Sequence, residues 1–176
     1  SPSSQSGQNS DSDSKVNTGR MHFQIPVPAE YPLAKPTDMP FGVPMTLIAL
    51  SPRGDKLVYL CMFEDSRYLC LRKLDEQGVK LLKGTKDAVM PFFRPDGKWV
   101  GFFTEKKLKT LELESGLVKE LCDAKNAYYG GCWGEDGAIY FGNSEGIDFV
   151  GIKETGGNTW VVTDQIEVLF NPRVAM

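Results

Sequence analysis

The sequence predicts an all-β fold of three consecutive four-stranded antiparallel sheets. Three observations carry this. First, one hairpin signature recurs: an apolar run, a tight turn closing on glycine, and a second apolar run. The central copy runs Phe92-Phe93, then Arg94-Pro95-Asp96-Gly97, then Lys98-Trp99-Val100-Gly101-Phe102-Phe103. Asp-Gly accepts the positive φ that a tight hairpin turn needs, so two antiparallel strands fold back on each other here. Second, the turn glycines Gly54, Gly97 and Gly137 stand about 43 and about 40 residues apart, the repeat length of four-stranded propeller blades. Third, no segment combines a helical period with helix caps. Residues 105–120 are charged, but they alternate and are broken at Ser115-Gly116, which reads as a hairpin.

Taken in order, residues 1–20 are Ser, Gln, Gly, Asn and Asp with almost no apolar content. Such a segment cannot bury enough surface to offset its ordering entropy and reads as a disordered polar linker or frayed terminus. Residues 21–27 place Phe23, Ile25 and Val27 on one side, as in a short edge strand where Pro26 is tolerated. Prolines 28, 32, 36, 40 and 44 then make residues 28–44 an extended surface connector.

Blade one spans 45–84, with strands at 45–50, 56–62, 67–74 and 79–82. Blade two spans 89–122, with strands at 89–93, 98–104, 107–113 and 117–121. Its third strand is polar on part of one face, as an outer or partly exposed strand is. Blade three spans 128–163, with strands at 128–133, 138–142, 147–152 and 159–162. Residues 164–176 hold the start of a further strand at 166–170, broken by Asn171-Pro172, or a truncated tail.

The 176 residues suffice for one domain with a real core. A net charge of −3 and a pI near 5.3 do not favour a nucleic-acid or anionic-membrane surface. No apolar run approaches the roughly 20 residues that span a bilayer. The chain begins at Ser1 and shows no signal peptide; an earlier start upstream, removal of one, and an internal start at Met21 are the readings of that fact.

Cys61, Cys70, Cys122 and Cys132 form no Cys-x-x-Cys pair, which speaks against zinc. Each sits in or beside an apolar strand, as a reduced and buried small hydrophobe. A Cys61–Cys70 disulfide across one hairpin is the alternative.

No residue of the sequence reads as catalytic, cofactor-binding or metal-ligating. His22, the one histidine, sits at a polar position of the first strand, and a Ser-His-Asp or Cys-His set would need it. Asp96 and Asp136 read as turn formers that bond backbone amides two residues on. Gly130-Gly131 and Gly156-Gly157 lack the helix start and lysine of a phosphate cradle. Trp99, Trp133 and Trp160 read as repeat-equivalent packing residues between blades, with a ligand-stacking platform as the alternative. Lys106, Lys107 and Lys109 read as a solvated hairpin edge rather than an anion site.

The repeats carry a resemblance. Ser51-Pro52-Arg53-Gly54-Asp55-Lys56-Leu57-Val58-Tyr59 and Arg94-Pro95-Asp96-Gly97-Lys98-Trp99-Val100-Gly101-Phe102 are similar to the core of TolB-like, WD-like β-propeller repeats. The likeness covers roughly residues 45–163. Blade one departs from it with Arg53 at the turn aspartate. Blade three has Gly134-Glu135 for Ser-Pro and one residue fewer after its turn. A narrower resemblance, to the propeller after the kinase domain of bacterial eukaryotic-like serine/threonine kinases, rests on four runs. They are Pro91 through Phe103, Lys107-Leu108-Lys109, Leu121-Cys122-Asp123-Ala124 and Gly130-Gly131-Cys132-Trp133-Gly134. The polar linker leading into Phe23-Gln24-Ile25-Pro26-Val27-Pro28 adds to it. No kinase motif lies in the chain itself.

Such propellers commonly have six or more blades, so the resemblance implies a partial ring: three blades of a six-bladed one, with apolar faces left at both ends. The missing blades are expected from the rest of a longer parent. The expected function is a non-catalytic interaction or scaffold module that presents loops to a protein, peptide or small ligand. It would bind no nucleic acid and insert into no membrane. The alternative is the sensor propeller of a receptor-type kinase, or the gating propeller of a peptidase, with the catalytic domain outside this chain. The location stays open: cytoplasmic, or extracytoplasmic if a membrane helix precedes residue 1.

Overall fold

The computed structural model describes residues 24–35, 46–125, 130–142 and 149–162. These residues form three four-stranded antiparallel sheets, each strand paired with its neighbour in sequence. Blade one holds β1 (Ile48–Leu50), β2 (Lys56–Phe63), β3 (Ser66–Lys73) and β4 (Lys80–Leu82). Blade two holds β5 (Val89–Phe93), β6 (Trp99–Phe103), β7 (Lys107–Glu112) and β8 (Val118–Asp123). Blade three holds β9 (Gly131–Trp133), β10 (Ala138–Gly142), β11 (Phe149–Lys153) and β12 (Trp160–Val161). There is no helix among the described residues. The expected all-β arrangement of three such sheets is what the chain forms. Residues 166–170 and His22 lie outside the described residues.

The sheets stack side by side with their first strands inward: β1 packs on β5, and β5 on β9. Alternation along β6 shows why the middle sheet needs a neighbour on each side. Val100 and Phe102 join Val58, Leu60, Leu69 and Leu71 of blade one, while Phe103 joins Ile139, Phe141, Val150 and Ile152 of blade three. Gly101 shares the second face. A Cβ there would run into the Phe92 ring, so glycine lets that ring lie flat on the sheet. Each fully buried Leu or Phe contributes roughly 1.5–3 kcal/mol of apolar transfer, so the two seams dominate the stability.

The hairpin turns follow the sequence reading. Gly54, Gly97 and Gly137 have φ of 70°, 67° and 77°, the left-handed region that glycine enters without steric cost. Asp96 Oδ1 accepts from Lys98 N at 2.8 Å, and Asp136 Oδ1 accepts from Ala138 N at 3.1 Å. β5 carries a bulge between Val89 and Phe92, with Met90 at φ 52°. Pro91, which has no N–H to give a ladder, falls inside that bulge.

Four expectations need correction. Gln24 to Val27 form no strand; the pairing segment lies later, where Leu33 bridges Cys61. Ala34 N donates to Leu60 O at 2.9 Å and Met62 N to Pro32 O at 2.9 Å. Residues 32–34 of the connector therefore continue the inner edge of β2 past β1, and Ala34 is buried in the seam between blades one and two.

The outer face of blade one is also not left bare. Tyr59, Cys61 and Cys70 are buried there, with Tyr31 packed on them and the Tyr59 hydroxyl donating to Tyr31 O at 3.1 Å.

The cysteines are not all reduced. Cys61 and Cys70 lie diagonally across β2 and β3, on one face, and are joined by a disulfide. Cys122 is half-buried and Cys132 exposed. Lastly, the exposed strand of blade two is β8 rather than β7, whose Leu108, Thr110 and Leu111 are buried.

Thiol titration checks the cysteine assignment. Unfolded without reductant, the chain should show two free thiols, and after reduction four. In the folded protein burial pushes the Cys122 thiol up to about 11, with the Asp123 carboxylate adding to it. At pH 8 its thiolate is scarcer than its thiol by about a thousandfold, so Cys122 should react far more slowly than in denaturant. Four thiols before reduction would contradict the disulfide.

Candidate interaction surface

Antiparallel pairing puts the first and third turns of every blade at the same end, so these turns share one face of the array. Sequence dictates how each turn is held. In blade one Arg53 replaces the turn aspartate, and Ser51 with Asp55 take over. Ser51 Oγ accepts from Asp55 N and Lys56 N at 3.1 and 2.9 Å and donates to Asp55 Oδ1 at 2.7 Å. Lys56 Nζ stands 3.1 Å from Asp55 Oδ2. The Ser51 hydroxyl, and after it Lys56, hold the Asp55 carboxyl down to about 2. In blade three the Tyr140 hydroxyl donates to Asp136 Oδ2 at 2.6 Å, which lowers the Asp136 carboxyl.

A polar brace ties blade two to blade three on this face. Arg94, just past β5, reaches Glu154, just past β11, with Nη2 to Oε1 at 3.1 Å. The other oxygen, Oε2, accepts from Trp133 Nε1 at 3.2 Å. The guanidinium also lies 5.6 Å from the Trp133 ring centroid, a cation–π arrangement. Sequence reasoning quoted Arg94 only within the repeat and missed Glu154, which follows a strand with no motif around it.

Between blades one and two the same face opens into a groove of about 630 Å³. Leu71, Val79 and Leu113 give it apolar wall, and Lys80, Lys98 and Glu114 stand on it. Lys56 and Lys73 also line it but are held by Asp55 and by Glu76 at 2.7 Å. The Lys80, Lys98 and Glu114 side chains have no such partner among the described residues. Unpaired charges beside an apolar wall can take up an amphipathic segment, with side chains on the wall and carboxylates at the lysines.

The other residues singled out by sequence do not converge on a site. Trp99, Trp133 and Trp160 occupy β6, β9 and β12, so they are not repeat-equivalent. Only Trp133 is buried in a seam; Lys119 Nζ lies 5.0 Å from the Trp99 ring, and Trp160 is exposed. Lys107 is bound on both sides, by Glu120 at 2.7 Å and Asp123 at 2.8 Å. Those bonds push the Lys107 amine above its ordinary value, and lower both carboxyls. Gly130-Gly131 lies at the inner edge against Met90 and Phe103, and Gly156-Gly157 forms the last turn, both glycines at positive φ. Among the described residues, no group of three or more His, Cys, Asp and Glu is placed to hold a metal ion. No described helix is long and apolar enough to cross a membrane.

The repeat, the sheets and their stacking together decide the architecture. These are β-propeller blades. Solved structures agree. The propeller domain of the Trilobed protease of Pyrococcus furiosus aligns with TM-score 0.53 and 18% identity over 66% of this chain and 42% of its own. TolB of Acinetobacter baumannii aligns with TM-score 0.55 and 18% identity over 73% of this chain and 34% of its own. An acylaminoacyl peptidase of Pyrococcus horikoshii aligns with TM-score 0.52 and 15% identity over 66% and 24%. The chain thus spans less than half the length of each of these proteins, and the likeness is one of fold. No protein-family profile matches the sequence. No curated protein matches it either.

The brace predicts a graded response. Glu154→Leu removes the partner of both Arg94 and Trp133 Nε1, partly exposed, and should cost about 1–2 kcal/mol in urea unfolding. Glu154→Gln keeps an acceptor for the indole and should cost less than about 1 kcal/mol. Equal losses, or none, would show that the brace does not hold the seam.

Proposed function

We propose that this chain is a non-catalytic interaction module, a propeller segment whose turn face receives a protein or peptide partner. The observation that carries the reading is the groove between blades one and two. It combines Leu71, Val79 and Leu113 with the unpaired Lys80 and Lys98. Burial of apolar side chains on the wall supplies affinity, and the two amines select for acidic residues. The turns that frame the groove are already fixed by Ser51, Asp55 and Asp96. Binding there would require little reordering of the backbone, which favours affinity.

The spans covered in the similar structures, 42% and 34% of their lengths, support a place within a longer protein that supplies further blades. A second reading keeps this module as the regulatory propeller of an enzyme whose catalytic domain lies outside the chain. The runs around residues 91–103, which resemble the propeller after the kinase domain of bacterial eukaryotic-like serine/threonine kinases, favour a receptor-type serine/threonine kinase. The likeness to the propeller domain of a protease and to an acylaminoacyl peptidase favours a gating role. The flanking reading frame separates them: a kinase domain and membrane helix upstream, or a hydrolase domain downstream.

An array of extended peptides of varied charge tests the primary reading. The chain should retain peptides that alternate apolar and acidic residues. Lys80→Glu with Lys98→Glu should lower that retention at least tenfold while leaving the unfolding midpoint in place. Retention unchanged in the double variant would remove the groove from the account.

A further inference from the structure

Ladder register lets the blades be compared position by position. One row crosses the side of each blade that faces the blade before it. In blade two it reads Phe93, Val100 and Leu111, and in blade three Trp133, Ile139 and Ile152. These residues fill the two seams, and Val100, Leu111, Ile139 and Ile152 are fully buried. In blade one the same row is Leu50, Leu57 and Arg72. Leu50 is 56% exposed, and Ile48, two residues earlier on the same side, is 46% exposed. The cover that Tyr31 gives to Tyr59, Cys61 and Cys70 thus stops short of them. Arg72 stands where Leu111 and Ile152 are sealed in the other blades. Its Nη1 donates to Gly78 O at 3.1 Å, but its Nε is buried without a hydrogen-bond partner. No carboxylate pairs with it among the described residues.

The opposite side of a blade receives such a row. Ala49, Val58 and Leu71 do so in blade one, and Phe92, Gly101 and Thr110 in blade two. Their counterparts in blade three are Cys132, Tyr140 and Gly151, continued by Trp160. Cys132 is exposed, and the Trp160 ring, laid across Gly151, is 39% exposed. The two rows are chemically complementary. One carries an arginine short of acceptors. The other carries an aromatic pair, Tyr140 and Trp160, with ring centroids 6.3 Å apart, and the Tyr140 hydroxyl holds the Asp136 carboxylate at 2.6 Å. A guanidinium settles well on aromatic rings beside a carboxylate. We propose that the two flanks meet in a second copy of this chain, so that two copies close one ring of six sheets. Leu50 and Leu57 of one copy then lie on Cys132 and Tyr140 of the other, and Arg72 reaches Trp160. The contact joins unlike flanks, and a two-fold axis along the centre of the ring makes it twice and closes it. Three sheets fall short of the roughly four to eight blades of a closed propeller, and two copies reach that range. Further blades of a longer parent would take the same two flanks, so the 176-residue chain is the molecule to test. The ring leaves the groove between blades one and two open, and the inference does not depend on what binds there.

Sedimentation over a concentration series tests this. The chain should sediment at twice its 19.5 kDa mass. Below the dissociation constant single copies return, with both flanks open. Leu50→Asp damages one flank, and Trp160→Lys sets a second cation against Arg72 on the other. Each should raise the dissociation constant at least tenfold while the far-ultraviolet circular dichroism is retained. Mixing the two variants should restore dimers, because the mixed pair has one undamaged seam and neither variant alone has any. The groove variant, Lys80→Glu with Lys98→Glu, should dimerise like the unmutated chain, so the two readings fail separately. A monomer at every concentration overturns the proposal and leaves the flanks to further blades of a parent. A dimer that neither substitution weakens also overturns it, as does one that mixing does not restore, since like flanks would then be in contact. So does growth into species larger than two copies, which would mean that the arcs join without closing.

Discussion

A propeller blade is apolar on both faces, and that constraint governs the molecule. β6 shows it in five residues: Val100 and Phe102 go to one neighbour, Phe103 goes to the other, and Gly101 makes room for Phe92. Such a sheet alone would expose a hydrophobic surface on each side. Stacked, each sheet hides its neighbour, and stability becomes a sum over seams. The polar brace of Arg94, Glu154 and Trp133 is secondary to this. Arg94 and Glu154 are about a third exposed, and with the buried Trp133 they fix how blades two and three meet at the turn face.

The two ends of the array are handled differently. At blade one residues 32–34 lie along the inner edge of β2, and Tyr31 covers Tyr59 and the Cys61–Cys70 disulfide. Cross-linking two strands of the same hairpin closes a short loop, so its contribution is smaller than that of a long-range bridge. Its position reinforces the one blade that has no preceding sheet among the described residues. At blade three, Phe149 is 51% exposed and Trp160 39% exposed.

Local chemistry made most of the fold legible. The hairpins could be read because glycine at positive φ and an Asx side chain are demanded by the turn itself, as at Asp96-Gly97 and Asp136-Gly137. Strand identity followed from apolar runs bounded by these turns. What could not be read was non-local. Leu33 pairs with Cys61 although Pro32 precedes it, because β2 outruns β1 and leaves backbone groups to satisfy. Cysteine packs equally well reduced, so spacing alone left Cys61 and Cys70 undecided. Glu154 sits in no motif; only the approach of two blades brings it to Arg94. The tryptophans misled because similar spacing along the chain fell on different strands. The groove was equally invisible, since its lysines are exposed residues that gain meaning only from the wall between two sheets.

Amide hydrogen exchange tests the central claim, that mutual burial of sheet faces holds the array together. Strands with a blade on each side, β6 and β7, should exchange slowest, near the global unfolding limit. β2 and β3, covered by blade two and by the connector, should follow, and β11 and β12 should open first. Protection in β12 equal to that in β6 would contradict the account, because it would mean that hairpin hydrogen bonding within each sheet, rather than the seams between sheets, sets the stability.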